Sequence, residues 1–358
     1  MMASADTVGI PRRFIDPSAA ASNVLPDFAR DPGELTTLYR AMVLTRAFDA
    51  KAVALQRTGR LGTYASSLGQ EAVGVGLAAA MRPDDVLLPS FREHGAQICR
   101  GVTLKELFLY WGGDERGNDF AGPRQDFPNC VPVGSHAPHA VGVALAFKLR
   151  SEARAAVCVF GDGATSKGDV AEALNMAGVW KVPAVFVVAN NGWAISIPVA
   201  KQTAAATLAQ KAAASGIVGV RVDGNDVIVV RHTVAEALAT ARRGEGPTLI
   251  EAVTYRLSDH TTADDATRYR DDAEVSRHWP EEPVARLRNY LIKVGVWGRE
   301  KEDALLHECS QQVEQAAADF LATTPLPLAA MFDHTYAQMP VDLAQQLEDA
   351  EHLAVGAA

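Results

Sequence analysis

The sequence predicts an α/β protein built on a doubly wound, mostly parallel sheet, and three observations carry that expectation. Two short apolar runs rich in valine, 155–160 and 184–188, enclose a stretch with helical periodicity. Runs of this kind suit strands buried on both faces of a parallel sheet. A second alternation of strand, helix and strand follows at 219–223, 226–243 and 247–255. The chain of 358 residues, 48% hydrophobic and 22% charged, is long enough to bury a sizeable core.

In chain order, residues 1–33 read as an N-terminal arm; acidic Asp6 and Asp16 and the lack of an apolar core predict neither a signal peptide nor a transit peptide. Asp31-Pro32 is a helix start signal, and Leu38, Met42, Thr45, Asp49 and Ala52 mark the turns of a helix over 34–58. Residues 70–81, rich in Ala and Gly, predict a closely packed helix, and 86–89 a short strand. Gly, Pro, Asp and Asn make 112–132 an irregular loop, and 137–150 a helix begun near Pro138. Between the two valine-rich runs, Val170, Leu174 and Ala177 recur at helical spacing, with Asp169 and Glu172 where carboxylates suit the helix dipole. After the last strand, 256–270 is polar and charged and reads as a solvated connector. Residues 281–321 predict two amphipathic helices, and Pro325-Leu326-Pro327 breaks them. The expected organisation is an arm (1–33), one large domain (34–322) and a peripheral tail (323–358).

A net charge of -9 and a pI near 5.5 argue against a nucleic-acid surface, which needs a positive field. No apolar run approaches the roughly 20 residues of a membrane helix. Cys99, Cys130, Cys158 and Cys309 form no C-x-x-C pair, so nothing asks for an oxidising compartment and cytoplasm is the default.

The chemistry concentrates where strands end. In a βαβ unit both strands point the same way, so Gly161-Asp162-Gly163 and Asn190-Asn191-Gly192 meet at the carboxyl edge of the sheet. Asp162 and Asn191 come together across 28 intervening residues. One carboxylate and one amide oxygen are hard ligands too few to enclose a cation; they suit magnesium, which fills its octahedron with phosphates and water. Flanking glycines admit a bulky diphosphate. Each motif alone also reads as a plain tight turn. Arg92 follows the strand at 86–89 and is placed to fork onto a phosphate, or to pair with a carboxylate at the surface. His136 and His139 have H-x-x-H spacing but no third ligand nearby, so no metal is assigned to them.

Together the motifs are far more specific: G-D-G, 26 residues, then N-N, a strand before each and a helix between. That pattern resembles the thiamin diphosphate motif. The run GDGATSKGDVAEALNMAGVWKVPAVFVVANNGWAIS is similar to the alpha subunit of the 2-oxo acid dehydrogenases, the decarboxylating component of those complexes. The resemblance covers roughly 34–321 and implies a thiamin diphosphate-binding fold with thiamin diphosphate and Mg2+ as cofactors. It implies that Asp162, Asn191 and the backbone carbonyl of Trp193 hold the metal. The cofactor contacts it implies are Phe91, Arg92, Val133, Ser135, Gly161, Asp162, Gly163, Ala164, Asn191 and His260, with His260 also the catalytic residue.

The resemblance also implies that His136 lies near the substrate, where the family often has Gln, and Val133-Gly134-Ser135-His136 is closer to the pyruvate type than to the branched-chain type. Thr261 takes the place of a phosphorylatable Ser of animal enzymes. Two positions depart from the family: Phe91 replaces a Tyr, and Ala189 stands where some relatives carry a charged or polar residue. The chain carries the diphosphate half of the site, and single-chain relatives are much longer. The resemblance therefore implies a beta subunit in an α2β2 heterotetramer. It further implies a lipoyl-bearing acyltransferase partner and a small 2-oxo acid substrate, pyruvate first and branched-chain acids second. Two rival readings stand beside it: a magnesium-dependent enzyme that processes phosphates alone, and a subunit that has kept the fold and lost its site.

Overall fold

The computed structural model describes residues 9–356. Residues 1–8 of the expected arm and the last two residues of the expected tail lie outside them. The elements are α1 (Pro32–Arg57), α2 (Glu71–Ala80), β1 (Val86–Leu88), α3 (His94–Arg100), α4 (Leu104–Trp111), α5 (His136–Leu149), β2 (Ala156–Gly161), α6 (Gly168–Trp180) and β3 (Ala184–Asn190). A two-residue hairpin, β4 (Trp193–Ala194) with β5 (Ile197–Pro198), precedes α7 (Lys211–Ala214), β6 (Val218–Asp223), α8 (Val227–Arg242) and β7 (Thr248–Val253). The chain continues through α9 (Asp272–His278), α10 (Pro283–Lys293), α11 (Arg299–Leu321) and α12 (Val341–Gly356).

The main sheet has five parallel strands in the order β1-β2-β3-β7-β6. Its strands alternate their side chains between two layers. Ala156, Cys158 and Phe160 of β2 pack on α5 and α6, while Val157 and Val159 pack on α2 and α8. Burying each such Val or Phe stabilises the fold by about 1.5–3 kcal/mol relative to exposure. The chain steps across the sheet from β1 to β2, β3 and β6 with helices on the first face, then returns to β7 with α8 on the second. A right-handed crossover demands that change of face when the direction reverses.

The helix over 70–81 packs as its composition foretells: a Cβ on Gly76 of α2 would come within 2.8 Å of Val230 on α8. Asp31 caps α1 through Gly33 N at 2.8 Å, with Pro32 as the first helical residue. The arm is docked through Asp226, whose Oδ2 accepts from Phe14 N at 2.6 Å and Ile15 N at 2.9 Å. Near the end of the chain, α12 rests on a 3-10 turn at Leu328–Met331.

Three expectations need correction. The 161–163 segment is no bare turn, because Asp162–Ser166 coils into a 3-10 helix that turns Asp162 inward. Strand β3 continues through Asn190, whose Nδ2 donates to Glu251 Oε1 at 2.8 Å inside the sheet, so Asn191 alone of the pair faces the edge. The 256–270 stretch is no solvated connector: Arg256 is fully buried and Arg270 nearly so. Arg270 donates to the carbonyls of Arg256 and Ser258, at 2.5 and 2.9 Å.

Candidate functional site

A cavity of about 530 Å3 opens at the carboxyl edge of β1, β2 and β3. Phe91, Arg92, Val133, His136, Gly161, Asp162, Gly163, Ala164, Asn191, Trp193, His260 and Thr261 all line it, as does Ala189. Ser135 does not. Its hydroxyl donates to Pro132 O at 3.0 Å and sits 3.2 Å from Cys130 Sγ, so it serves the turn before α5.

One pole of the cavity is rich in acceptors. Asp162 is 2% exposed, and its Oδ2 accepts from Gln202 Nε2 at 3.0 Å. Burial raises its pKa, and the Gln202 bond with more distant Arg256 and Arg92 opposes the rise. Asn191 accepts from Trp193 N at 3.1 Å and donates to Gln70 Oε1 at 3.0 Å, which fixes its amide orientation. The Nε2 of Gln70 is buried without a partner. A Cβ on Gly161 would meet nothing within 4 Å and would stand in the cavity, whereas one on Gly163 would strike Ala194 at 2.7 Å. Among the described residues, no group of three or more His, Cys, Asp or Glu could hold a metal. A lone buried carboxylate with amide and carbonyl oxygens fits a hard cation that brings its own phosphates and water.

The other pole, which adjoins the first at the Trp193 carbonyl, is cationic. Arg92, just past β1, donates from Nη1 to Ser66 O at 2.6 Å and from Nη2 to His260 O at 2.7 Å. Arg256, just past β7, donates to Ile195 O at 2.8 Å, Tyr269 Oη at 3.0 Å and Trp193 O at 3.3 Å. Neither guanidinium forms an ion pair with a carboxylate among the described residues. Burial lowers both, joined at Arg92 by repulsion from Arg256, which brings it to about 10, and at Arg256 by repulsion from Arg270. Two buried cations with no carboxylate in direct contact are costly, so the arrangement is suited to an anion.

His260 sits between them, its Nδ1 3.0 Å from Arg92 Nη2 and 3.4 Å from Arg256 Nη1. Guanidinium nitrogens only donate, so Nδ1 accepts and the ring proton is assigned to Nε2. Burial, then the two arginines, pull the imidazole down to about 4, and the ring is neutral at physiological pH. Asp264 orders the loop: its Oδ2 accepts from His260 N at 3.0 Å and from the Tyr269 hydroxyl. The Phe91 ring stands edge-on to His260 at 6.1 Å.

His136, 3% exposed, donates from Nε2 to Val159 O at 2.7 Å, leaving a buried Nδ1 without a partner. His139 instead stacks on Phe127 at 6.3 Å, so the two histidines do not share a site. Sequence reasoning missed Arg256, Gln70 and Gln202. Arg256 could have been found by the argument that found Arg92, since both follow a strand at the carboxyl edge. For the two glutamines no local signal exists.

A parallel α/β sheet with hard acceptors and buried cations gathered at its carboxyl edge defines an α/β protein suited to a diphosphate cofactor and a cation. The chain belongs to the dehydrogenase E1 component family, whose model matches residues 39–326. It is 44% identical over 315 residues to the 3-methyl-2-oxobutanoate dehydrogenase subunit alpha of Mycobacterium tuberculosis, covering 88% of this chain and 86% of that one. It is 40% identical over 323 residues to the pyruvate dehydrogenase E1 component subunit alpha of Acholeplasma laidlawii, with 88% and 92% covered. The Bacillus subtilis protein of the same name is 40% identical over 326 residues, with 90% and 87% covered. No helix among the described residues is long and apolar enough to cross a membrane.

Proposed function

We propose that this chain is the alpha component of a thiamin-diphosphate- and magnesium-dependent 2-oxo acid dehydrogenase, active in an α2β2 assembly with a beta subunit. One observation carries the reading: Asp162, Asn191, Arg92 and His260 line a single cavity, with Arg256 buried behind its wall, 3.4 Å from His260 Nδ1. Thiamin diphosphate, when bound, supplies the electron sink that lets a 2-oxo acid lose carbon dioxide.

The residues of this chain bind and orient. Asp162, Asn191 and the Trp193 carbonyl take magnesium; that carbonyl gives one lone pair to Arg256 and keeps the other. Arg92 takes the diphosphate as its charge-assisted donor, and Arg256, behind the wall, backs it by its charge and by holding the Trp193 and Ile195 carbonyls. Neutral His260 offers its Nε2 proton to a phosphate or substrate oxygen and, lying near pH 4 in its titration, stays neutral through the working range. Gly161 leaves room for the phosphates, Gly163 admits Ala194 at the cavity's edge, and Ala164, Phe91 and Val133 shape the wall. The beta subunit supplies the acid of the other half-site. The acyl group passes to the lipoyl arm of an acyltransferase component.

The large domain is taken as 34–322, flanked by the arm and the tail. Free cysteines support a cytoplasmic location. Pyruvate is the substrate proposed from Val133-Gly134-Ser135-His136. A branched-chain acid is the second reading, favoured by the name of the 44% identical relative. Decarboxylation assayed with an artificial electron acceptor tests both, using pyruvate and 3-methyl-2-oxobutanoate. Turnover that needs both chains, thiamin diphosphate and magnesium is expected. Full activity from this chain alone, or none with a beta partner and either acid, would overturn the proposal.

A further inference from the structure

Asp49 lies on α1, 4% exposed, and lines no part of the cavity. Its carboxylate nevertheless gathers donors from a single short segment. Oδ1 accepts from Tyr64 Oη at 2.8 Å and from Ser67 N at 2.7 Å, and Oδ2 accepts from the Ser66 hydroxyl. Residues 64–67 are neither helix nor strand, so no backbone ladder holds them. The carboxylate does that work instead. No ion pair relieves it, and a buried charge without one must be repaid by hydrogen bonds.

The segment it holds reaches both arms of the cationic pole. The Ser66 carbonyl receives Arg92 Nη1 at 2.6 Å. Tyr64 exchanges two bonds with Thr262, donating from N to Thr262 Oγ1 at 3.0 Å and accepting Thr262 N at 2.9 Å, two residues past His260. The guanidinium of Arg92 is therefore held by two carbonyls, of Ser66 and His260, and both stand on segments tied to Asp49.

A second line of donors ends on the same carboxylate. Trp111, on the cavity wall, donates from Nε1 to His94 Nε2 at 3.1 Å. The remaining proton of His94 then sits on Nδ1, 3.3 Å from Tyr64 Oη, and the Tyr64 proton goes to Asp49. Every proton in the line points toward Asp49, which must be a pure acceptor. An amide there would offer a donor where donors already converge.

We infer that Asp49 is a positioning residue for the anion site, setting Arg92 and the His260 loop through the 64–67 segment. The inference rests on the thiamin diphosphate reading. Its test is titration of thiamin diphosphate with magnesium onto the α–β complex, followed by quenching of tryptophan fluorescence, since Trp111 and Trp193 border the cavity. Asp49→Asn is expected to raise Kd about tenfold or more, as loss of a supporting contact commonly does. Ser66→Ala, which deletes one hydroxyl and spares the carboxylate, is expected to raise it about threefold. Glu308→Gln is the comparison variant. It breaks the Arg40 contact (2.6 Å) between α1 and α11, and should lower the melting temperature with Kd unchanged.

Wild-type Kd in both Asp49→Asn and Ser66→Ala would overturn the inference. So would wild-type Kd in Ser66→Ala if Asp49→Asn does not fold. If the wild-type complex itself binds no thiamin diphosphate, the underlying reading fails instead, and the inference with it.

Discussion

The two poles of the cavity are built in opposite ways. The acceptor pole hangs on regular structure: Gly161 and Asn190 end adjacent parallel strands, and Asp162 and Asn191 are the next residues along the chain. The cationic pole is assembled from irregular segments at 64–67, 90–92 and 256–270, held by Asp49, Asp264 and Tyr269. Backbone register positions the first, and side-chain networks position the second. The first should therefore fail only when its own ligands are changed, whereas the second should also fail from a distance.

Asp162→Ala tests the first pole and carries the largest expected effect. Magnesium-dependent thiamin diphosphate binding should fall by more than about a hundredfold, because the substitution removes the pole's carboxylate outright. The unliganded protein should melt no lower than wild type, because burial already disfavours the charged Asp162. Calorimetric titration and a melting curve on the same sample read both. Unchanged binding would remove Asp162 from the site. Lost binding with a lower melting temperature would mean that the pole is part of the scaffold, which breaks the contrast.

Arg256→Met tests the second pole with a buried side chain of lesser polarity. Arg256 lines no part of the cavity and acts through its charge and its bonds to the Trp193 and Ile195 carbonyls, so diphosphate affinity should fall by about tenfold. Removal of one neighbouring cation should also let the His260 imidazole titrate above about 4, which an NMR pH titration of the ring reads directly. An unmoved His260 would mean that burial and Arg92 depress it without Arg256.

The same contrast explains what the sequence discloses. Glycine-flanked strand ends announce Asp162 and Asn191 because local residues fix their surroundings. Arg92 is legible for the same reason, as it follows a short apolar strand. Arg256 hides in a charged stretch that reads as solvated, since its burial depends on carbonyls of Trp193 and Ile195 about sixty residues away in sequence. Asp49 shows in the sequence only as one turn of a helix. Its partners Tyr64, Ser66 and Ser67 lie beyond the end of that helix, where periodicity says nothing. Ser135 errs in the other direction: the motif places it beside the cavity, but its hydroxyl finds the Pro132 carbonyl first.

Glu93 offers the finest division between the poles, and the smallest expected effect. It is 5% exposed on the cavity wall beside Arg92, whose backbone N donates to it at 3.2 Å. Burial pushes its carboxyl up to about 7 from an ordinary 4.5. A folded pKa above the unfolded one means the native state holds its proton more tightly. The associated stability is complete below about 4.5, declines as pH rises toward 7, and is gone above it. Glu93→Gln cannot ionise and should escape that decline. Its melting temperature relative to wild type should be level below about pH 4.5, rise by about 2 °C or more by pH 7, and flatten above that. The histidines titrate in both proteins and cancel from the difference. A constant offset from pH 5 to pH 8 would mean that Glu93 is ionised throughout and already serves as counter-ion to Arg92. The cavity-lining charge of the second pole would then be held in an internal ion pair, with Arg256 behind the wall as its remaining cation.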